Sequence, residues 1–227
     1  MKIEVLANAD SVAHQGAARI AAEARAAVQA RRRFVMAVSG GHTPWVMLRA
    51  LADEDVPWPS VHVFQVDERI APAGDPDRNL THLAESLLSR APLPPAQLHA
   101  MPVEAADPVA AALQYAKALE KLAGSPPVLD LVHLGLGSDG HTASLVPNDP
   151  VLGVTDRNVA VTGVYMGRKR MTLTFPVLDR ARKVLWLVTG SGKVPMLKRL
   201  LAHDPAIPAG RVRPENALVL ADRAAAG

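Results

Sequence analysis

The chain contains no cysteine. That removes disulfides, thiolate metal sites and a cysteine nucleophile together. Aromatic residues are scarce, 4% of the 227, so few rings are available for a surface that stacks nucleobases. No apolar run approaches the ~20 residues a bilayer-spanning helix needs. A strong charge of one sign is missing too: 25 Lys+Arg stand against 22 Asp+Glu, a formal net charge of +3. The basic runs are short, Arg31-Arg32-Arg33 and Arg168-Lys169-Arg170, and the first reads as the solvated last turn of a helix. Neither a nucleic-acid partner nor a membrane partner is therefore expected. Near the start, Met1-Lys2-Ile3-Glu4-Val5-Leu6 meets an acid too early for the apolar core of a signal peptide, and a cytoplasmic protein is expected.

What is present is enough apolar residue for a core, 49% of the chain. Length and composition suit one α/β domain over 1–227. Short β-type runs fall at 3–6, 34–38, 61–66, 129–134, 159–164, 171–175, 184–189 and 217–220. Helical stretches lie between them, at about 11–31, 43–52, 79–89, 108–123 and 194–203. Ser11 reads as the cap of the first helix, and Thr43 before Pro44 as the cap of the second. The runs at 159–164 and 171–175 are joined by a short polar connection and suit an antiparallel pair. The expected fold is a mostly parallel, Rossmann-like sheet with helices on both faces and a small additional antiparallel element. In such sheets ligands sit outside the carboxyl ends of the strands. Four polar motifs occupy those positions: Ser39-Gly40-Gly41-His42-Thr43, Asp67-Glu68-Arg69, Gly135 through Thr142, and Gly190-Ser191-Gly192-Lys193.

Each motif has a chemical reading. Glycines at Gly40 and Gly41 let backbone N–H groups approach an anion, and Ser39 and Thr43 add hydroxyls at a helix start. This suits a small-phosphate cradle, although a tight turn into a capped helix accounts for the same residues. Arg69 can fork onto a phosphate or carboxylate, while Asp67 and Glu68 can fix that guanidinium or meet sugar hydroxyls. A structural salt bridge is the plainer account. His141, two residues after Asp139 in a glycine-rich loop, suits a general base oriented by a carboxylate. Two ligands do not make a zinc site, so no metal is expected. Lys193 and Arg170 are further cations for a phosphate; a helix-start lysine and a strand-edge arginine are the alternatives.

Taken in order, Ser39-Gly40-Gly41-His42-Thr43-Pro44, Asp67-Glu68-Arg69, Gly135-Leu136-Gly137-Ser138-Asp139-Gly140-His141-Thr142-Ala143-Ser144-Leu145, Arg170-Met171-Thr172-Leu173-Thr174 and Lys193 resemble the 6-phosphogluconolactonases of the pentose phosphate pathway. The likeness runs from the first strand to Pro208-Ala209-Gly210-Arg211-Val212. Glucosamine-6-phosphate deaminases share the superfamily but require His-Ile-Ala-Phe-Asn-Glu-Pro, whose glutamate is absent after His141. The resemblance implies hydrolysis of 6-phospho-D-glucono-1,5-lactone without a cofactor, by a monomer or small homo-oligomer acting on a small molecule. It implies His141 as the base that activates water, Asp139 as its orienting acid, and Arg69, Lys193 and Arg170 on the phosphate. Ser39, Gly40, Gly41 and Thr43 would line its loop. An amino-sugar-phosphate isomerase/deaminase and a non-catalytic sugar-phosphate sensor are the alternatives on this fold. One departure is Arg78-Asn79, where the family more often has Ser-Asn; Arg78 is expected to face water.

Overall fold

The computed structural model describes residues 1–227. Strands and helices follow in the order β1 (Lys2–Leu6), α1 (Ala9–Arg31), β2 (Phe34–Val38), α2 (His42–Ala52), β3 (Val61–Gln65), β4 (Asp67–Arg69), α3 (Asn79–Leu83), β5 (Leu98–His99) and α4 (Pro108–Ala123). They continue through β6 (Leu131–Gly135), β7 (Val159–Val161), β8 (Arg170–Leu173), α5 (Phe175–Arg180), β9 (Val184–Val188), α6 (Val194–Leu201), β10 (Ala217–Asp222) and α7 (Arg223–Ala226). Seven strands form one sheet in the order β1-β10-β9-β6-β2-β3-β5, every pair of it parallel. Strands β4, β8 and β7 form a separate antiparallel sheet.

The period of two along each strand sorts its side chains onto the two faces. Phe34, Met36 and Val38 of β2, with Leu185 and Leu187 of β9, pack with Val12, Ile20 and Met47 of α1 and α2. Val35 and Ala37, with Val184, Trp186 and Val188, join the opposite core with Leu119 of α4, Leu178 of α5 and Leu200 of α6. Both faces are thus covered, which is why the central strands are continuously apolar instead of alternating. No helix is long and apolar enough to cross a membrane.

Local signals explain most helix starts. Asp107 caps α4, accepting N–H bonds from Val109 and Ala110, and Pro108 occupies the first helical position. Two expected caps move. Asn8, not Ser11, caps α1, its Oδ1 accepting the Ser11 N–H at 2.9 Å. Gly41 occupies the cap position of α2, and Thr43 lies inside the helix. The segment 67–69, expected to be a loop, is strand β4, because β8 offers it an antiparallel partner from far along the chain. Strand β5 and helix α5 were not expected; each is short and owes its form to neighbours more than to a pattern of its own.

The sheet order creates the crevice. From β2 the next strand, β3, lies on one side, whereas β6 lies on the other and leads to β9 and β10. The loops leaving β2 and β6 therefore diverge at the carboxyl end of the sheet, where a ligand can enter. A buried histidine supports this point. His133 of β6 is fully buried, and its Nδ1 accepts the Ser39 N–H at 3.2 Å. Burial pushes its imidazole down to about 3, so it stays neutral in the folded protein. In the unfolded chain it titrates near its ordinary value of about 6.5. Its contribution to stability is thus intact above that value and is lost as pH falls toward 3, with a slope of up to about 1.4 kcal/mol per pH unit. Urea midpoints measured between pH 7 and 5 are expected to fall, and to fall less steeply in His133→Asn. Parallel curves for the two proteins would remove His133 as the source.

Candidate active site

At this crevice lies a cleft of about 330 Å³. Its wall includes Ser39, Gly40 and Gly41 from the loop after β2, and Gly135, Gly137 and His141 from the loop after β6. Asp67, Arg69 and Arg170 come from the small sheet, and Lys193 from the turn before α6. Four strand ends that are distant in sequence therefore meet here, as the parallel sheet requires.

The loop after β6 carries a preformed pair. His141 Nδ1 lies 2.6 Å from Asp139 Oδ1, which also accepts the His141 backbone N–H at 3.1 Å. The Tyr165 hydroxyl donates to Asp139 Oδ2 at 2.8 Å. Partial burial works to raise the Asp139 pKa, but the His141 amide, the imidazole and the Tyr165 hydroxyl together hold it below the usual carboxylate range. An ionised Asp139 can only accept, so Nδ1 carries a ring proton, and in the neutral imidazole the lone pair falls on Nε2. His141 lines the cleft while Asp139 stands behind it. Glycine is needed at 137 because an added Cβ would lie 2.1 Å from His141 Nδ1 and 2.7 Å from Asp139 Oδ1.

The small sheet supplies charge. Along β4 alternate side chains point oppositely, so Asp67 and Arg69 face the cleft and Glu68 does not. The Glu68 carboxylate is fully buried; it accepts N–H bonds from Arg69, Asn79 and Leu80 and one from Gln65 Nε2. Asp67 accepts from Ser144 Oγ at 2.6 Å and from Asn79 Nδ2 at 3.3 Å. These two acids organise the walls, and neither forms a salt bridge with Arg69, Arg170 or Lys193, although the Asp67 charge is felt at Arg170. Arg69 reaches only neutral acceptors, the Asp77 carbonyl and Asn79 Oδ1. Arg69 and Arg170 are register partners, and the Nε of each is buried without a partner. Like charges placed opposite each other across a ladder repel. Burial, and then the Arg69 charge, push the Arg170 pKa down. Burial also lowers Lys193, against the pull of Asp139. The cleft, lined by Arg69, Arg170 and Lys193, therefore favours an anion.

The predicted site residues are placed as follows. Ser39, Gly40, Gly41, Asp67, Arg69, His141, Arg170 and Lys193 line one cleft. Thr43 does not; its hydroxyl pairs with Thr189 Oγ1 at 2.7 Å. Glu68 lies outside for the reason given, and Asp139 reaches the cleft only through His141. Arg78 corrects an expectation: it does not face water but is 2% exposed, held between Glu68 and Glu104. Gly40 must lack a side chain because a Cβ there would lie 2.0 Å from Asn79 Oδ1. Tyr165, Asn79 and Trp45 also line the cleft and were not anticipated. For Tyr165 the available signal was rarity, as one of two tyrosines in the chain, set in a short connection beside Gly167. No three metal-ligating side chains converge.

A family model described as glucosamine-6-phosphate isomerases/6-phosphogluconolactonase matches residues 7–221. A 6-phosphogluconolactonase of Synechocystis is 37% identical over 96% of this chain and 93% of its own length. One from Mycobacterium tuberculosis is 36% identical over 99% of this chain and 96% of its own. Among solved structures, the 6-phosphogluconolactonase of Thermotoga maritima aligns at TM-score 0.86 and 27% identity, covering 97% of this chain and 98% of its own. A monomeric glucosamine-6-phosphate deaminase aligns at TM-score 0.85 over 100% of this chain and 99% of its own, but at 19% identity shares only the fold.

The dependence of the pair on Gly137 is testable. Gly137→Ala is expected to break the Asp139–His141 contact while the rest of the chain stays folded. Imidazole NMR signals of His141 should shift, with a loss of stability of about 1–3 kcal/mol. Unchanged His141 resonances in a folded variant would show that the loop absorbs the methyl.

Proposed function

The chain belongs to the glucosamine-6-phosphate isomerase/6-phosphogluconolactonase family, and we propose for it a lactonase mechanism in which His141 is the general base. The activity is that of the lactonase branch, hydrolysis of 6-phosphogluconolactone to 6-phosphogluconate. The observation that carries the mechanism is the 2.6 Å Asp139–His141 pair in the same cleft as three cations that no carboxylate pairs. One end of the cleft suits a phosphate and the other can take a proton.

In this reading the 6-phosphate lies between Arg69, Arg170 and Lys193, with the glycine loop at Ser39–Gly41 beside it. Guanidinium forks and the ammonium give charge-assisted hydrogen bonds to phosphate oxygens. The lactone carbonyl then faces His141. Nε2 takes a proton from a water molecule, and the water oxygen bonds to the carbonyl carbon. The resulting imidazolium is stabilised by Asp139 through Nδ1–H. As the tetrahedral intermediate collapses, the bond from carbon to ring oxygen breaks and His141 returns its proton to that oxygen. One water is added, and the new carboxylic acid ionises in solution. An ester-like carbonyl is already electrophilic, so the chain's own residues and a water suffice. General-base assistance of about 10²–10⁴-fold, with positioning, meets the demand.

The proposal extends to one domain over 1–227, working in the cytoplasm as a monomer or small homo-oligomer; fractionation and sedimentation test the last two. The lactone supplied by a glucose-6-phosphate dehydrogenase reaction gives a direct assay. His141→Ala is expected to lose about 10²–10⁴-fold in kcat while still binding 6-phosphogluconate by calorimetry. Turnover at the wild-type rate would sink the base role. Arg69→Ala and Lys193→Ala should raise KM more than they lower kcat, because the phosphate is remote from the reacting carbon. A change in kcat alone would place them elsewhere. Glucosamine 6-phosphate should release no ammonia; release would favour the deaminase branch.

A further inference from the structure

One side chain at the cleft has polar and ring contacts that join its two ends. Tyr165 donates its hydroxyl to Asp139 Oδ2 at 2.8 Å. Its ring meets the His141 imidazole edge-on, with centroids 5.5 Å apart at 67°. The Arg170 guanidinium carbon sits 4.9 Å from the centre of the same ring. A tyrosine that only filled space would need none of these three directions at once.

The way Tyr165 is presented supports a fixed position. Tyr165 and Arg168 exchange both backbone hydrogen bonds, at 2.9 and 3.3 Å, closing a two-residue turn between β7 and β8. Both central residues of that turn, Met166 and Gly167, have positive φ, 50° and 79°. This is the geometry that matches the twist of the flanking strands. A non-glycine residue held at positive φ carries a conformational cost, so the turn is kept by its surroundings. The anchor is visible: Arg168 pairs with Asp75 and Asp77 at 3.0 Å each, tying the hairpin to the loop after β4.

We propose that Tyr165 is a positioning residue for the hydrolysis, fixing the Asp139 carboxylate on His141 and seating Arg170 at the anion end of the cleft. The inference rests on the reading of His141 as general base. Asp139 offers two oxygens. His141 takes Oδ1 with two N–H groups, and Tyr165 takes Oδ2. With both oxygens held, the carboxylate cannot rotate, and the imidazole keeps one orientation and one tautomer. The hydroxyl also draws off part of the carboxylate charge that would otherwise stabilise an imidazolium, which keeps His141 a proton donor for the leaving oxygen. Other charged groups facing the cluster are Arg170 and Arg69 from the small sheet, Asp67 beside them, and Lys193, which feels the Asp139 charge. The Tyr165 hydroxyl has its own pKa raised, first by burial and then by its bond to Asp139, so it stays protonated and able to donate.

Tyr165→Phe removes only the hydroxyl, and Tyr165→Ala removes the ring as well. For Phe, kcat should fall roughly 3–10-fold with KM changed less than about twofold, the split expected when a transition-state interaction alone is lost. The His141 imidazole midpoint, followed by NMR and assigned by its absence in His141→Ala, should rise by about half a unit as Asp139 keeps more charge. The acid limb of kcat/KM should move with it. For Ala, KM should rise as well, because Arg170 loses the ring beneath it. A Phe variant with wild-type kcat and an unmoved midpoint overturns the proposal. So does one whose rate and melting temperature fall in step while the midpoint stays put, since that is a purely structural role. If His141→Ala keeps wild-type turnover, the base reading itself fails, and that result is distinct from either.

Discussion

The buried carboxylate of Glu68 holds together the part of the molecule that carries the charges. It satisfies the first amides of α3, the Arg69 amide and the Gln65 side chain, with Arg78 3.7 Å away. A buried charge is tolerable only when its lone pairs are filled in this way. The consequence is geometric. With Glu68 pinned inward, the strand alternation turns its neighbours Asp67 and Arg69 outward to the cleft. Asp67 then ties the same strand to Asn79 and to Ser144 in the loop that carries His141. The small antiparallel sheet is thereby locked over the carboxyl end of the large parallel one.

That lock lets the cleft hold unbalanced charge. Arg69 and Arg170 oppose one another with buried, unpartnered Nε atoms, an arrangement that folding alone would not favour. Functional sites commonly carry such a cost, which the surrounding structure sustains and a ligand relieves. The Asp139–His141 pair is oriented by bonds within the protein, Asp139 taking two N–H groups of His141 and the Tyr165 hydroxyl. Donors and charges fixed in advance need little reorganisation during reaction. The fold itself does not choose the reaction: a deaminase shares it at 19% identity. Around His141, Ser144 stands bound to Asp67 and the only carboxylate on the imidazole is Asp139.

Much of this was legible from pattern. Continuous apolar runs marked the buried parallel strands, and polar glycine-rich segments directly after them marked the crevice, because a parallel sheet presents its strand ends on one side. Asp139 and His141 could be paired by proximity in the chain alone. Long-range partners were not legible. Asp67–Arg69 reads as a charged loop until β8, a hundred residues later, pairs with it. Arg78 reads as a surface residue until two glutamates close around it. Thr43 looked free to meet a ligand, yet Thr189 takes its hydroxyl.

The initial absences keep their meaning in this light. Without cysteine the nucleophile in the proposed mechanism is water, and of the few aromatics Tyr165 touches Asp139, His141 and Arg170 at the cleft. By itself the sequence determined the sheet, the order of the motifs and the closeness of Asp139 to His141, which follow from local periodicity and short spacing, and its motifs carried the resemblance to the family. Only the tertiary structure decided which charges face the cleft, which are buried as scaffold, and that Tyr165 bridges the pair to Arg170. Those outcomes depend on strand register and side-chain direction across distant segments, which no local pattern encodes.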